Sequence, residues 1–288
     1  MSIKLAPVLE VPPLLPGRII TLPGRGEIFV RHFQHSNPDA PTLLLLHGWT
    51  ASSDVNYFTA YETLSSTYSI IGVDHRGHGR GIRPHTPFSL EDCADDAAAV
   101  VRALGVTSVI PVGYSMGGPI TLLLWQRHQD LVKGMVLQAT RAEWSSTRKE
   151  RTTWKVVIPL SKLFSRPRLL RIGIKRLLPR GHEMTRYIPW LQGEMRRNDA
   201  WMIAEAGKAI ARFDARPFLS TVNVPASFVI TTKDESVPPH KQAELASAIN
   251  AQVFELAADH MSTVQNPREY AAVTRRAVDA VIQEIQKN

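Results

Sequence analysis

The residues with the clearest chemical potential in this sequence surround a serine. Gly113, Tyr114, Ser115, Met116 and Gly117 form the pattern G-x-S-x-G, which follows an apolar run typical of a strand and precedes a stretch compatible with a helix. Glycines on both sides of the serine permit a strained strand-to-helix turn, because a side chain there would collide with neighbouring backbone. Such a turn exposes the serine hydroxyl. The pattern therefore predicts that Ser115 is a nucleophile.

A serine hydroxyl needs a general base, and that base needs a carboxylate to orient it. Both residue types follow in the chain, the acid before the histidine. Residues 226–232 are predicted to form a buried strand that leads into a loop with Asp234, and residues 251–256 form another predicted strand that ends shortly before His260. Asp234 is the predicted acid and His260 the predicted base. Glu143, just after the predicted strand end at 138–140, is the alternative acid.

An oxyanion hole is predicted from a third segment. Residues 41–46 form a continuous apolar strand that ends at His47, Gly48 and Trp49. A loop in this position supplies a backbone N–H to the oxygen that becomes negative in acyl transfer, and the residue after the nucleophile supplies a second one. We therefore expect the donors to be the N–H groups of Trp49 and Met116. His47 is expected to brace this loop rather than to transfer protons.

Several motifs in this order carry a resemblance to a known family. They are Leu46-His47-Gly48-Trp49, Asp74-His75-Arg76-Gly77-His78-Gly79, Gly113-Tyr114-Ser115-Met116-Gly117-Gly118, Asp234 with Val237-Pro238, and Asp259-His260. Together they span most of the chain. The sequence resembles the α/β-hydrolase family, and within it serine esterases and lipase-like members with a helical cap.

The resemblance implies a nucleophile at Ser115, a base at His260 and an orienting acid at Asp234. It also implies that no metal or organic cofactor takes part. His75 and His78 are expected to pack the loop in which they lie rather than to bind a metal. One departure from the family pattern stands out, because family members often carry a serine shortly after the aspartate motif, where this chain has residues 80–84 without one.

The order of predicted elements favours an α/β fold with a doubly wound, mostly parallel sheet. Residues 18–22 and 27–33 are predicted to form a hairpin, and strands then alternate with helices. Ser89 is a predicted cap of the helix that ends at 103, and Pro267 opens the last helix. In such sheets, ligands bind outside the carboxyl ends of the strands. The predicted site residues all follow strand ends, so we expect four loops to converge on one site.

The alternation stops between residues 140 and 217, which divides the chain into two parts. We predict a hydrolase core formed by residues 1–140 and 217–288, and a helical cap or lid formed by residues 141–216. The cap segment contains 18 lysine and arginine residues against 7 aspartate and glutamate residues, whereas the rest of the chain contains 16 against 19. The net charge of +8 therefore originates in the cap.

Part of the cap is predicted to form an amphipathic basic helix. Its apolar positions are Leu170, Ile174, Leu177 and Leu178, and its basic positions are Arg168, Arg171 and Lys175. Three uses remain open: packing of the apolar stripe on the core, contact with an anionic membrane surface or with acyl chains, and nucleic-acid binding. Nucleic acid is not the expected partner, because no module that reads grooves or stacks bases can be recognised.

The remaining composition indicates a cytoplasmic protein, which would be peripheral to a membrane if the cap binds lipid. The chain of 288 residues contains one cysteine, Cys93, which is expected to be a small core residue. The first twenty residues contain four prolines and no uninterrupted apolar stretch, so a secretory signal is not expected. No segment approaches the roughly 18 consecutive apolar residues of a membrane span.

These observations predict a serine hydrolase that cleaves carboxylic esters of small or medium size, acylglycerols included, through an acyl-enzyme. A small-molecule ester is the expected partner. Two alternatives remain open. The first is hydrolysis of a C–C bond in a diketone acid, whose carboxylate the basic cap would hold. The second is a non-catalytic hydrolase-fold protein that binds a membrane or another protein.

Overall fold

The computed structural model describes residues 9–161, 172–173, 178 and 181–287. Strands and helices alternate along most of this length. The strands are β1 (Gly17–Leu22), β2 (Gly26–Phe33), β3 (Thr42–Leu46), β4 (Ser69–Val73), β5 (Ile110–Tyr114), β6 (Met135–Gln138), β7 (Ala226–Thr231) and β8 (Gln252–Leu256). The helices are α1 (Ser53–Ser65), α2 (Leu90–Ala103), α3 (Gly117–Arg127), α4 (Arg148–Ser161), α5 (Ile188–Met195), α6 (Ala200–Arg212), α7 (Pro239–Ala248), α8 (Ser262–Gln265) and α9 (Pro267–Lys287).

The strands form one twisted sheet in the order β1-β2-β4-β3-β5-β6-β7-β8. The first two strands form an antiparallel hairpin, and β2 pairs with β4 in antiparallel orientation. From β4 to β8 every pairing is parallel. The prediction of a mostly parallel α/β sheet is confirmed.

Both faces of the sheet are covered, which explains why its central strands are apolar throughout. In β3, Leu44 and Leu46 belong to the core on one face, together with residues of α2 and α3. Leu43 and Leu45 belong to the core on the other face, together with residues of α1 and α9. Alternate side chains of one strand thus fill two cores.

The predicted helix starts are also observed. The Ser89 hydroxyl accepts a hydrogen bond of 3.0 Å from the N–H of Asp92, which caps α2. The last helix, α9, begins at Pro267. In that position the missing N–H of proline costs no helical hydrogen bond.

The loop after β4 is held without the serine that relatives often carry. The Asp74 carboxylate accepts hydrogen bonds from the N–H groups of Ser53, at 2.7 Å, and Arg80, at 2.8 Å. The Arg83 guanidinium then donates to the carbonyl groups of Gly79, at 2.5 Å, and Gly81, at 2.7 Å. An arginine side chain therefore binds the carbonyl groups inside this loop.

The described helices between β6 and β7 lie over the carboxyl ends of the strands, within the predicted cap segment. The two ends of this segment meet, because the N–H of Ala215 donates to the carbonyl of Ala142 at 2.8 Å. A bridge between Glu143 and Asp214 lies beside that bond. The division of the chain into core and cap stays a prediction.

The predicted basic helix around residues 168–178 lies outside the described residues, apart from Ile172, Gly173 and Leu178. Within the part of the chain that the structure describes, no helix combines the length and the apolar character needed to cross a bilayer.

Candidate active site

Ser115 occupies a sharp turn between β5 and α3. Its φ of 52° lies in the left-handed region, which is strained for a residue with a side chain. The N–H of Ser115 donates to the carbonyl of Gln138 on β6 at 2.9 Å, which fixes the turn against the neighbouring strand. A Cβ atom at Gly113 would lie 2.4 Å from the carbonyl oxygen of Gly117, so the turn can close only around glycine. The turn therefore projects the serine side chain above the end of the sheet.

The structure brings Ser115, His260 and Asp234 together. The Nε2 atom of His260 lies 3.0 Å from Oγ of Ser115, and its Nδ1 atom lies 2.7 Å from Oδ2 of Asp234. A carboxylate only accepts hydrogen bonds, so Nδ1 carries the proton and Nε2 is free to accept one from the serine. The two bonds form a continuous chain from hydroxyl to imidazole to carboxylate.

The Asp234 carboxylate is buried and held by several donors. Its Oδ1 accepts hydrogen bonds from the N–H groups of Ser236, at 2.9 Å, and Val237, at 2.8 Å. Its Oδ2 accepts one from the Thr231 hydroxyl at 2.9 Å. The amide of Gln242 on α7 lies beside the same group. This network fixes the carboxylate in the orientation that His260 requires.

The alternative acid lies elsewhere in the structure. Glu143 accepts a hydrogen bond from the N–H of Ser146 at 3.0 Å and forms ion pairs with Arg141 and Lys241. Asp259, the neighbour of His260 in the chain, accepts a hydrogen bond from the N–H of Met261 at 2.7 Å. In this arrangement Asp234 is the carboxylate bonded to His260.

The predicted oxyanion loop lies beside the serine. A Cβ atom at Gly48 would lie 3.2 Å from Cβ of Ser115, so glycine allows the loop to approach this closely. Within the described residues, the backbone N–H groups of Trp49 and Met116 donate to no protein acceptor. Met116 immediately precedes α3, where helical N–H groups are unpaired and the helix dipole favours negative charge. Both predicted donors are therefore available to a ligand.

His47 orients this loop. Its Nδ1 atom lies 2.7 Å from the carbonyl oxygen of Gly48, and its Nε2 accepts a hydrogen bond of 2.9 Å from the N–H of His75. In a trans peptide the carbonyl and the following N–H point in opposite directions. Holding the Gly48 carbonyl therefore also fixes the direction of the Trp49 N–H.

Three buried histidines pack together behind the loop. The ring of His47 lies 4.3 Å from that of His75 and 5.3 Å from that of His78. Burial lowers the pKa of His75 to about 3 and that of His78 to about 4, and it lowers the pKa of His47 well below its usual value. Neither ring nitrogen of His75 has a hydrogen-bond partner within the described residues.

This cluster predicts a loss of stability in mild acid. In the unfolded state His75 and His78 bind protons below the ordinary histidine pKa of 6.5, whereas in the folded state they do so only at about pH 3 and about pH 4. Burial raises the pKa of Asp74 to about 6, which acts in the opposite direction but over a smaller interval. We expect the free energy of unfolding to fall by about 3 kcal/mol between about pH 7.5 and about pH 4.5.

Urea denaturation across this pH range measures the effect. In the variant His75→Phe, one buried titrating ring is replaced by an apolar ring, so the loss of stability in acid should become smaller by about 2 kcal/mol. An unchanged pH dependence in this variant would show that the histidine cluster does not cause the acid sensitivity.

Tyr114 joins the serine turn to the histidine loop. Its hydroxyl donates to the carbonyl of His260 at 2.9 Å and lies 3.0 Å from Oγ of Ser262. Burial raises the pKa of Tyr114, so the hydroxyl stays a donor at neutral pH. The sequence marks this residue only as a member of the turn. Its hydroxyl also positions the backbone that carries the base.

We expect the variant Tyr114→Phe to lower kcat by about tenfold with little change in KM, because the His260 loop loses an anchor while the cavity keeps its shape. Steady-state kinetics on an ester substrate measures this. The matched control is Tyr61→Phe, which removes a buried hydroxyl that donates to Asp54 at 3.0 Å on α1. Equal effects on kcat in both variants would show that Tyr114 contributes only to stability.

Ser115 and His260 open into a cavity of about 670 Å³. Its walls are mainly apolar and come both from loops at the strand ends and from helices between β6 and β7. They include Trp49, Val55, Trp144, Trp154, Val157, Leu178, Leu191, Met195, Ile210 and Val264. Three of these are tryptophans, and the indole of Trp154 lies 5.7 Å from that of Trp49 and 6.2 Å from that of Trp144. Such a cavity favours an apolar ligand.

Some residues of this site were not predicted. Oδ1 of Asn56 on α1 accepts a hydrogen bond of 2.7 Å from the N–H of Gly48, and Asn56 lines the cavity. Gln242 supports Asp234 from α7. Arg141 lines the cavity from the end of β6. These contacts join distant segments of the chain and follow no local sequence pattern, so no signal in the sequence marks them.

Comparison with known proteins supports the fold. A family model described as the alpha/beta hydrolase fold matches residues 41–161, which include the oxyanion loop and the serine turn. The family model and the sheet topology agree on the α/β-hydrolase fold. An esterase structure from Exiguobacterium antarcticum superimposes with a TM-score of 0.78 at 20% identity, covering 92% of this chain and all of that one. At this level of identity the superposition supports the fold alone.

Two curated proteins are similar to this one over most of the chain. The AB hydrolase superfamily protein YisY of Bacillus subtilis is 25% identical over 233 residues, covering 77% of this chain and 83% of the relative. The pimeloyl-[acyl-carrier protein] methyl ester esterase of Neisseria meningitidis is 29% identical over 262 residues, covering 86% of this chain and 80% of the relative. These similarities support a hydrolase.

Proposed function

We propose that this α/β-hydrolase cleaves carboxylic esters through an acyl-enzyme. The observation that carries the proposal is the pair of short contacts at His260, 3.0 Å to the Ser115 hydroxyl and 2.7 Å to the Asp234 carboxylate, beside an apolar cavity that Ser115 and His260 line. The similarity to a methyl ester esterase supports the same class of reaction.

The proposed mechanism has two halves, formation of an acyl-enzyme on Ser115 and its hydrolysis, and His260 transfers a proton in both. Oγ of Ser115 attacks the acyl carbonyl carbon while Nε2 of His260 takes the hydroxyl proton. The N–H groups of Trp49 and Met116 bind the developing oxyanion. His260 then gives the proton to the leaving alcohol, and the acyl-enzyme remains. Water attacks that ester while His260 takes one of its protons, and His260 then returns the proton to Oγ of Ser115 as the carboxylic acid leaves.

The cavity supports the proposed substrate class. Its volume of about 670 Å³ and its apolar walls accommodate an acyl chain of small or medium length, and acylglycerols belong to this range. Burial of each methylene group contributes about 0.8 kcal/mol to binding. We therefore propose that kcat/KM rises with acyl length until the chain fills the cavity.

A series of p-nitrophenyl esters with acyl chains of increasing length tests the proposal. We expect release of nitrophenol with an optimum at a medium chain length. A diketone acid tested in parallel examines the alternative of C–C bond hydrolysis. If the protein hydrolysed only the diketone acid, the ester proposal would be wrong. If it hydrolysed neither and did not react with a fluorophosphonate, a non-catalytic role would be favoured.

A second proposal concerns the outer face of the cap. Val156 and Leu160 on α4 are 53% and 49% exposed and lie one helical turn apart. Basic side chains of the same helix, Arg148, Arg151 and Lys155, are also exposed. Exposed apolar residues flanked by basic ones suit the surface of an anionic membrane. We propose that α4 contacts such a surface while its other face, with Trp154, lines the cavity.

Co-sedimentation with vesicles tests this contact. We expect the protein to bind vesicles that contain phosphatidylserine at low salt, and we expect binding to fall by about tenfold at high salt because the attraction is electrostatic. The double variant Val156→Asp with Leu160→Asp should bind several times more weakly. Absence of binding to anionic vesicles at low salt would rule the proposal out.

A further inference from the structure

Arg141 is a buried cation in the wall of the cavity. It lies three residues after the end of β6, its side chain is 5% exposed, and it lines the cavity shared with Ser115 and His260. Its Nη2 atom pairs with two carboxylates, at 2.5 Å from Glu150 and 3.4 Å from Glu143. The role proposed above for the cavity does not use this residue.

The described part of the chain offers no partner to Nε and Nη1 of this guanidinium. Nε is fully enclosed and has no hydrogen-bond partner within the described residues. Nη1 donates no hydrogen bond there either, but it is not among the enclosed atoms. An arginine side chain that is buried with unpaired N–H groups loses solvation without compensation. A ligand oxygen at Nη1 would restore a charge-assisted hydrogen bond.

The guanidinium is held rigidly, as a binding group should be. Oε2 of Glu150 accepts hydrogen bonds of 2.9 Å from both the hydroxyl of Ser146 and the N–H of Thr147. Oε2 of Glu143 accepts one of 3.0 Å from the N–H of Ser146. Both carboxylates that hold Arg141 are therefore themselves fixed by backbone and side-chain donors, which preorganises the site.

The charges around Arg141 decide whether a charged or an uncharged oxygen of a ligand binds there. Glu143 and Glu150 pair with Arg141. Lys241 lies 3.6 Å from Glu143 and 2.8 Å from Glu244. Two positive charges thus face three negative ones, so no positive charge is left unpaired before a ligand enters. A ligand carboxylate would add an uncompensated charge in an apolar cavity, which is costly. An uncharged carbonyl oxygen accepts the same hydrogen bond without that penalty.

We infer that Nη1 of Arg141 faces the cavity and binds an uncharged carbonyl oxygen of the substrate, away from the carbonyl that reacts. This inference rests on the proposed ester hydrolysis and narrows its substrates to esters that carry a second carbonyl, such as diesters. Arg141 is then a residue that determines specificity, and the apolar walls contact the chain between the two carbonyl groups.

A binding experiment in the Ser115→Ala background tests the inference without turnover. The ligands are dimethyl adipate and methyl octanoate, whose main chains contain the same number of atoms. Quenching of tryptophan fluorescence reports binding, because Trp49, Trp144 and Trp154 line the cavity. Methyl octanoate is the more apolar ligand. We nevertheless expect dimethyl adipate to bind about tenfold more tightly, because its second carbonyl accepts a hydrogen bond from the charged Arg141. One such hydrogen bond accounts for about a tenfold difference in affinity.

Two arginine variants in the same background test whether the preference for dimethyl adipate depends on the side chain of Arg141. Arg141→Lys keeps the positive charge for Glu143 and Glu150 but removes the guanidinium, so the preference should fall to less than about twofold. The matched control is Arg102→Lys on α2, where an exposed arginine pairs with Asp130 at 2.9 Å. This control should keep the tenfold preference. Circular dichroism verifies that each variant is folded.

The outcomes separate the inference from the proposed function. Equal binding of the two ligands, tighter binding of methyl octanoate, or binding of neither would overturn the role of Arg141, even if the wild-type protein hydrolyses esters. Tighter binding of monomethyl adipate than of dimethyl adipate would overturn the choice of an uncharged oxygen. Preference for dimethyl adipate without any ester turnover by the wild-type protein would support the binding site and refute the proposed reaction. The ligand comparison with Arg141 intact stands even if Arg141→Lys does not fold.

Discussion

Replacing Ser115 with alanine is expected to lower kcat for ester hydrolysis by about four to six orders of magnitude, because no other group can form the acyl-enzyme. Removal of Oγ breaks the contact of 3.0 Å with Nε2 of His260 but leaves the backbone turn in place. Burst kinetics with a p-nitrophenyl ester measures turnover, and labelling with a fluorophosphonate measures activation of the serine.

The control for this experiment concerns folding rather than chemistry. Alanine at position 115 must adopt the same φ of 52°, so the strain of the turn is kept and the free energy of unfolding should change by less than about 1 kcal/mol. Urea denaturation of both proteins checks this. Residual turnover or labelling at the wild-type level would mean that Ser115 is not the nucleophile.

Replacing Gly117 with alanine is expected to prevent normal folding. A Cβ atom at this position would lie 1.9 Å from the carbonyl oxygen of Leu46 and 2.7 Å from its carbonyl carbon. Both atoms belong to the backbone of β3, in the centre of the sheet, and cannot move without breaking its pairings. We expect a loss of more than about 4 kcal/mol in the free energy of unfolding, or no soluble protein.

The matched substitution is Gly193→Ala in α5, where an added Cβ atom would meet no heavy atom within 4 Å. Alanine has the higher helix propensity, so this variant should be more stable than the parent by up to about 1 kcal/mol. Thermal unfolding followed by circular dichroism compares the two variants. Similar stability of both would contradict the close contact between the serine turn and β3.

The local features of the site could be predicted from the sequence because they depend on neighbouring residues. The turn at Ser115 needs glycines at fixed positions, and a proline or serine marks a helix start through its own backbone chemistry. Continuous apolar runs such as residues 42–46 predict buried strands, since a parallel sheet is covered on both faces. The chain order of serine, acid and histidine then suggested which residues meet.

The contacts of Asn56, Tyr114 and Arg141 could not be predicted from local sequence patterns. Asn56 supports the loop at Gly48 from another element, and the Tyr114 hydroxyl reaches the backbone of His260, which is 146 residues away in the chain. An asparagine or a tyrosine in these positions is equally compatible with a solvent-exposed or an apolar contact. Only the packing of separate elements decides which groups are partners.

The sequence by itself determined the fold class, the strained turn at Ser115 and the two candidate partners of that serine, because these follow from periodicity and from residue types at short range. The tertiary structure alone decided that Asp234 rather than Glu143 bonds to His260, and that Arg141, among the residues the structure describes, keeps unpaired donors in the cavity wall. The physical reason is that hydrogen bonds and burial depend on distances across the sheet, which no local pattern specifies.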